Sequence, residues 1–81
     1  MKRDEVLTRV GEICVDVFDD EELTVTDMTT AKDVEEWDSL THLQLMSEIE
    51  KEFHIKFTLG EIQGFANVGG LVDTIMKRME G

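Results

Sequence analysis

Helical periodicity is the feature that most constrains the fold of this chain. Wherever apolar residues form a repeating pattern, they recur about every 3.6 positions, the spacing of one face of an α-helix. The first such segment predicts a helix from Asp4 to Phe18, with polar residues on its opposite face. Its apolar face comprises Val6, Leu7, Val10, Ile13, Cys14, Val17 and Phe18. The pattern predicts an all-α fold.

A second helical segment is predicted from Ser39 to Phe53. Its core-facing stripe is about 100° wide, as is normal for a helix packed against a bundle. The stripe comprises Leu45, Met46, Ile49 and Phe53. Leu40 and Leu43 fall off its edge, and Leu40 lies roughly opposite Ile49, so we expect Leu40 to be at least partly exposed.

Two further helices complete the pattern. Thr58 and Glu61 have the spacing of a capping box, which predicts a short third helix ending near Gly64. Asn67 is expected to cap a fourth helix, whose apolar residues are Val68, Leu71, Val72, Ile75 and Met79. Gly69 and Gly70 lie in its first turn, where the helix end either frays or lets another backbone approach closely. We therefore predict a small four-helix bundle with three longer helices and one short third helix.

The segment from Asp19 to Asp38 has no periodicity and is predicted to be a long acidic loop between the first two helices. From Asp16 to Asp38 the chain has ten acidic residues and a single base, Lys32. Five apolar residues are expected to pin this loop to the bundle: Leu23, Val25, Met28, Val34 and Trp37. A loop of this length in so small a domain is usually functional.

Length and charge exclude several classes of function. Eighty-one residues allow one domain, residues 1–81, and too small a core for a deep catalytic cleft. A net charge of -11, from 8 Lys and Arg against 19 Asp and Glu, argues against nucleic acid or anionic membranes as partners and favours proteins with basic docking patches. We expect a monomer.

The expected compartment is the cytoplasm. The N-terminus lacks the apolar region of a signal peptide, and no apolar run approaches the ~20 residues that a membrane span needs. The one cysteine, Cys14, cannot form an internal disulfide, which agrees with a reducing compartment. Because Cys14 belongs to the apolar face of the first helix, we interpret it as an inert core residue.

No metal site is expected. The nearest EF-hand register starts at Asp16, but it places Glu21 where a glycine is needed and the short Asp27 where a bidentate Glu is expected. His42 and His54 stand alone, without zinc-ligand spacing. His42 maps to the core side of the second helix and is predicted to be packed there, whereas His54 is predicted to be solvated.

Ser39 is the leading candidate for a functional residue. A hydroxyl at a helix N-terminus lies beside unpaired backbone N–H groups and the positive end of the helix dipole, where an attached phosphate is favoured. A hydrolase nucleophile assisted by Asp38 and His42 is disfavoured, because there is no G-x-S-x-G elbow, no group to orient the imidazole and too little chain for a substrate pocket. A purely structural interpretation has Asp38 or Ser39 capping the helix.

The run Glu35-Glu36-Trp37-Asp38-Ser39-Leu40-Thr41-His42-Leu43 resembles the modification site of acyl carrier proteins. The order of helices, the acidic loop and the charge extend this resemblance over approximately Asp4 to Met79. It implies that Ser39, flanked by Asp38 and Leu40, carries a 4'-phosphopantetheine arm transferred from coenzyme A by a separate magnesium-dependent phosphopantetheinyl transferase. Acyl groups would be held on the arm as thioesters, so the protein would be a carrier and not an enzyme.

The sequence departs from housekeeping fatty acid synthesis carriers around this motif. Trp37 stands where a small residue is common, and Thr41 and Gln44 stand where acids are common, although Glu48 remains. These departures favour a carrier for a specialised lipid, polyketide or amino-acid-loading pathway over generic fatty acid synthesis. The residues expected to contact the acyl-loading and acyl-processing enzymes are Trp37, Leu40, Leu43, Gln44 and Glu48. The alternative is an acidic helical protein-interaction module in which Ser39 is only a helix cap.

Overall fold

The computed structural model describes residues 2–80, which form four α-helices and no strand. The helices are α1 (Arg3–Phe18), α2 (Ser39–Phe53), α3 (Leu59–Gly64) and α4 (Val68–Glu80). The loop between α1 and α2 contains a 3₁₀-helix at Ala31–Asp33, which its composition did not predict. The all-α, four-helix prediction is confirmed.

The core lies where α1 packs against both α2 and α4. The predicted stripe of α2 is buried, as are Cys14 and the centre of the α1 face. The buried apolar residues are Val6, Val10, Ile13, Cys14, Phe18, Val34, Leu45, Met46, Ile49, Phe53, Phe57, Val68, Leu71, Val72 and Ile75. Burial of this apolar surface is the main stabilisation available to so short a chain.

Helix α1 begins at Arg3, one residue before the predicted start. The backbone N–H of Lys2 donates to Glu5 Oε1 at 3.0 Å. The Arg3 guanidinium lies 2.8 Å from Asp27 Oδ1 and 2.9 Å from Asp73 Oδ1. The first turn of α1 is thereby tied to the loop and to α4, which are tertiary contacts that local sequence does not show.

The predicted caps of the two later helices are present. In α3 the Glu61 N–H donates to Thr58 Oγ1 at 3.2 Å, and the Thr58 N–H donates to Glu61 Oε1 at 2.8 Å. In α4 the Gly70 N–H donates to Asn67 Oδ1 at 2.8 Å. At the end of α2, His54 is exposed as predicted, and it adopts a left-handed conformation with φ of 55°.

The acidic loop is hydrogen-bonded to the N-terminus of α4. Val68 N–H donates to the Thr29 carbonyl and Gly69 N–H to the Asp27 carbonyl, both at 2.9 Å. A Cβ at position 69 would lie 3.0 Å from that Asp27 oxygen, so the close approach favours glycine, and a larger residue would push the loop backbone away. Of the two alternatives for the glycine-rich turn, close backbone approach is the one that the structure shows.

The loop is anchored differently from the prediction at one position. Val34 is buried and Leu23, Val25 and Trp37 pack partly buried against the core, as expected. Met28 is 77 % exposed, so its prediction as an anchor was wrong. The turn instead buries Thr29, whose Oγ1 accepts from the Thr26 N–H at 2.9 Å. Hydrogen bonds on both its hydroxyl and its carbonyl make the burial of this polar residue favourable.

Two further observations concern the described part of the chain. Within residues 2–80, no helix is both long and apolar enough to cross a bilayer. The same residues contain no group of three or more His, Cys, Asp or Glu side chains placed to hold a metal ion.

Candidate functional site

Ser39 is the first residue of α2 and its side chain is exposed. Its hydroxyl makes no hydrogen bond to any other residue that the structure describes. The hydroxyl therefore lies at the positive end of the α2 dipole and is not used in a hydrogen bond that stabilises the fold. A group attached to this oxygen would displace no internal contact.

Asp38, and not Ser39, is the N-cap of α2. Asp38 Oδ1 accepts from the Thr41 N–H at 3.0 Å, and the Asp38 N–H donates to Thr41 Oγ1 at 2.8 Å. The Thr41 hydroxyl in turn donates to the Glu36 carbonyl at 2.7 Å. The bond from the Thr41 N–H is the main reason that the pKa of Asp38 is lowered from its ordinary value. The interpretation of Ser39 as the helix cap is thus wrong.

Trp37 and His42 form a hydrogen-bonded pair beside Ser39. Trp37 Nε1 donates to His42 Nδ1 at 2.9 Å, and His42 Nε2 lies 2.6 Å from the Ile62 carbonyl. An indole N–H can only donate, so Nδ1 is the acceptor and Nε2 carries the proton that goes to the carbonyl. His42 is half-buried and packed, as predicted, and both of its ring nitrogens are engaged. It is not placed to serve as a base for the Ser39 hydroxyl.

A groove of about 600 Å³ opens between α2, α3 and the loop, with Ser39 on its edge. Four of the predicted site residues line it: Trp37, Asp38, Ser39 and Leu43. The remaining lining is mostly apolar and comes from Ala31, His42, Leu59, Ile62, Gln63 and Phe65. An apolar surface beside an exposed hydroxyl suits a flexible attachment that ends in an apolar group.

Four of the five predicted docking residues are exposed, and the fifth, Trp37, is partly buried. Leu40 is 76 % exposed and Leu43 is 55 % exposed, which confirms the expected exposure of Leu40. Gln44 and Glu48 are also exposed, and like Leu40 they do not line the groove. Trp37 is partly buried, with its indole packed against Phe18 at a ring-centroid distance of 5.3 Å. Their contacts with partner enzymes stay a prediction.

Sequence reasoning missed the α3 side of the groove. Leu59 is 67 % exposed, and Ile62 and Phe65 are partly buried in the opposite wall. A helix of six residues is too short to show a periodic pattern. The only available signal was the capping box at Thr58, which located the helix but not the surface that it faces.

Cys14 is excluded from the chemistry of this site. It is fully buried in the core, and burial raises the pKa of its thiol to about 12. A thiol that resists ionisation is a poor nucleophile. The interpretation of Cys14 as an inert core residue agrees with this geometry.

Comparison with known proteins shows both a matching family and similar solved structures. The family described as "Phosphopantetheine attachment site" matches residues 9–75. The solution structure of a holo acyl carrier protein from Geobacter metallireducens superposes with a TM-score of 0.87 at 40% sequence identity. That match covers 93% of this chain and 86% of the other chain.

Proposed function

We infer the function of this chain from its family, because the chain belongs to the phosphopantetheine attachment family. Its function is that of an acyl carrier, and its cofactor is a covalently attached 4'-phosphopantetheine. When bound, this group supplies the thiol on which acyl groups are held as thioesters. Carriers of this kind are not catalysts, so the role of the chain is to place its cargo for separate enzymes.

We propose that Ser39 is the attachment residue, and the observation that carries this proposal is its free, exposed hydroxyl at the start of α2. The helix dipole favours a phosphodiester at this position. Asp38 already caps the helix, so modification leaves the cap intact. The apolar groove beside Ser39 gives the far end of an arm a surface to lie on.

The proposed partners are a phosphopantetheinyl transferase, which uses coenzyme A, and acyl-loading and acyl-processing enzymes with basic docking patches. Support comes from the net charge of -11 and from the exposed side chains on and near α2. The proposed docking residues are Trp37, Leu40, Leu43, Gln44 and Glu48. We further propose that residues 1–81 act as a single, monomeric domain.

We also propose that the protein works in the cytoplasm, in a specialised lipid, polyketide or amino-acid-loading pathway. A single, buried, reduced cysteine agrees with a reducing compartment. The proposal of a specialised pathway is supported by the residues around the site, where Trp37 is large and Thr41 and Gln44 are uncharged. These residues give a docking surface different from that of fatty acid synthesis carriers.

The test is Ser39→Ala, with Ser47→Ala as the matched control because Ser47 is another exposed serine of α2. After incubation with coenzyme A and a promiscuous transferase, intact mass should show the arm on wild type and on Ser47→Ala, but not on Ser39→Ala. The far-ultraviolet circular dichroism of Ser39→Ala should match wild type, since a surface substitution outside a cap changes stability by only about 0.5 kcal/mol. Retained loading of Ser39→Ala would show that the arm is attached elsewhere.

A further inference from the structure

Trp37 and His42 stand between the groove beside Ser39 and a smaller cavity inside the bundle. The inner cavity has a volume of about 40 Å³ and reaches Met46 and Leu71 in the core. Trp37 and His42 line both spaces, so they form part of the wall that separates them.

This wall is fixed by contacts from three elements. The loop contributes the Trp37 indole, α2 contributes the His42 ring, and α3 contributes the Ile62 carbonyl that His42 Nε2 bonds at 2.6 Å. The Trp37 and His42 rings are also stacked, with centroids 6.0 Å apart. Displacing either ring leaves a partly buried donor or acceptor without its partner, which is unfavourable.

The sizes of the two spaces decide what can enter. A cavity of about 40 Å³ has room for a few water-sized groups and not for an alkyl chain. The groove of about 600 Å³ is open to solvent and can receive a short acyl group without movement of the wall. A longer chain either stays in this open groove, partly in contact with water, or displaces the Trp37–His42 pair to reach the core.

We propose that the Trp37–His42 pair determines cargo specificity by closing the inner cavity, so that this carrier shields short acyl groups in the outer groove and does not take long chains into its core. The inference rests on the proposed function, because it concerns the acyl group carried by the arm on Ser39. Trp37 and His42 line the cargo space, and neither supplies the oxygen to which the arm is attached.

The experiment loads Ser39 with arms that end in acetyl, butyryl, hexanoyl, octanoyl and decanoyl groups, using the corresponding acyl coenzyme A and a promiscuous transferase. Intact mass verifies each loaded form, and the melting temperature of each form is compared with that of the unacylated arm. Each methylene that leaves water should raise the melting temperature by up to roughly 3–6 °C. Trp37 is the only tryptophan and the chain has no tyrosine, so its fluorescence reports on the wall directly.

For wild type we expect no further rise in melting temperature from hexanoyl to decanoyl, and a constant Trp37 emission maximum. In Trp37→Ala, which removes the indole from the wall that it shares with His42, Ala31 and Phe65, the rise should continue through decanoyl. Trp37→Phe keeps a ring but removes the indole donor, and it should give an intermediate profile. Met28→Ala is the matched control, because Met28 is an exposed apolar residue that lines neither space and is not a proposed docking residue, and it should follow wild type.

A wild-type melting temperature that rises steadily to decanoyl, with a shift in Trp37 emission, would overturn the inference. That outcome requires only the wild-type chain, so it is decisive even if a variant fails to fold. Equal profiles for wild type, Trp37→Phe and Trp37→Ala would overturn it as well. Absence of any loading would overturn the proposed function and the inference together, whereas loading with either of the other outcomes overturns the inference alone.

Discussion

Asp38 and Ser39 are adjacent residues with different roles. Asp38 stabilises the start of α2, whereas Ser39 is the proposed attachment residue. The Asp38 carboxylate accepts from the first turn of α2, while the Ser39 hydroxyl stays unbonded within the described part of the chain. A cap is worth about 0.5–2 kcal/mol in typical proteins. Because a neighbour supplies it, the attachment residue can be modified without loss of the helix start.

The lowered pKa of Asp38 predicts a specific dependence of stability on pH. A carboxylate whose pKa is lower in the folded state contributes stability that is fully present above its unfolded value, about 3.9, and is lost as pH falls through the folded pKa. Asp38→Asn keeps a capping oxygen but cannot ionise. The melting temperature of wild type should therefore exceed that of Asp38→Asn near neutral pH, and the difference should shrink below about pH 4.

The control for this measurement is Glu35→Gln. Glu35 is an exposed carboxylate of the same loop that makes no hydrogen bond or ion pair with residues 2–80. Its neutralisation should not reproduce the pH-dependent difference. A wild-type advantage over Asp38→Asn that stays constant from neutral to acidic pH would show that the ionised cap does not stabilise the fold.

At the scale of the element, α2 has two faces with different roles. One face buries Leu45, Met46, Ile49 and Phe53 in the core. The other carries Leu40 and Leu43, of which Leu40 is 76 % exposed. Exposed apolar residues beside a modification site provide contact area for a partner enzyme.

This division predicts opposite effects of alanine substitutions on α2. Ile49→Ala and Leu45→Ala should lower the free energy of unfolding by about 2–5 kcal/mol, because both residues are fully buried. Leu40→Ala should leave stability nearly unchanged and should slow modification of Ser39 by the transferase. Leu43→Ala should show a slower modification as well, with a small loss of stability, since it is 55 % exposed.

Thermal melts and modification rates of the four variants test the prediction together. Each rate is measured at a temperature where the variant is folded, so that unfolding cannot account for slow modification. Wild-type modification kinetics in Leu40→Ala would remove this residue from the proposed docking surface.

At the scale of the whole molecule, internal ion pairs engage all three arginines. Arg3 pairs with Asp27 and Asp73, Arg9 with Glu12 and Glu52, and Arg78 with Glu61. Such exposed pairs contribute little to stability, because water and salt screen them. With the three arginines engaged in this way and 19 acids against 8 bases in the chain, the surface that a partner meets is strongly acidic.

Association with the transferase should therefore weaken as salt rises. Between about 0.1 M and about 1 M salt the Debye length falls from about 10 Å to about 3 Å, which screens attraction between an acidic carrier and a basic patch. Binding measured by titration calorimetry across this range should lose affinity continuously. Glu48→Gln, which removes an exposed charge on α2, should reduce the salt dependence.

Glu12→Gln is the matched control, because Glu12 pairs with Arg9 as Glu48 pairs with Lys51, but it lies on α1 and is not a proposed docking residue. It should leave the salt dependence closer to that of wild type. An affinity unchanged between low and high salt would exclude charge as the basis of this recognition.

The sequence by itself determined the elements and the candidate site. Helical periodicity located the helices to within a residue where bounds were predicted, because burial of one face imposes a repeat that local sequence must follow. Capping patterns placed Thr58 and Asn67 because a cap depends on residues three positions apart. The Asp38-Ser39-Leu40 motif likewise lies in one continuous run.

Tertiary structure decided what depends on residues far apart in the chain. Nothing local distinguishes Met28 from Thr29 as the buried residue, since that choice depends on the hydrogen bonds between the loop and the first turn of α4. His42 likewise hydrogen-bonds to the Ile62 carbonyl, which is twenty positions away in the chain. This bond forms only because α3 packs beside α2. The groove and the wall behind it form only through that packing. They could not be predicted from periodicity, because a surface shared by separate elements leaves no periodic pattern in any one of them.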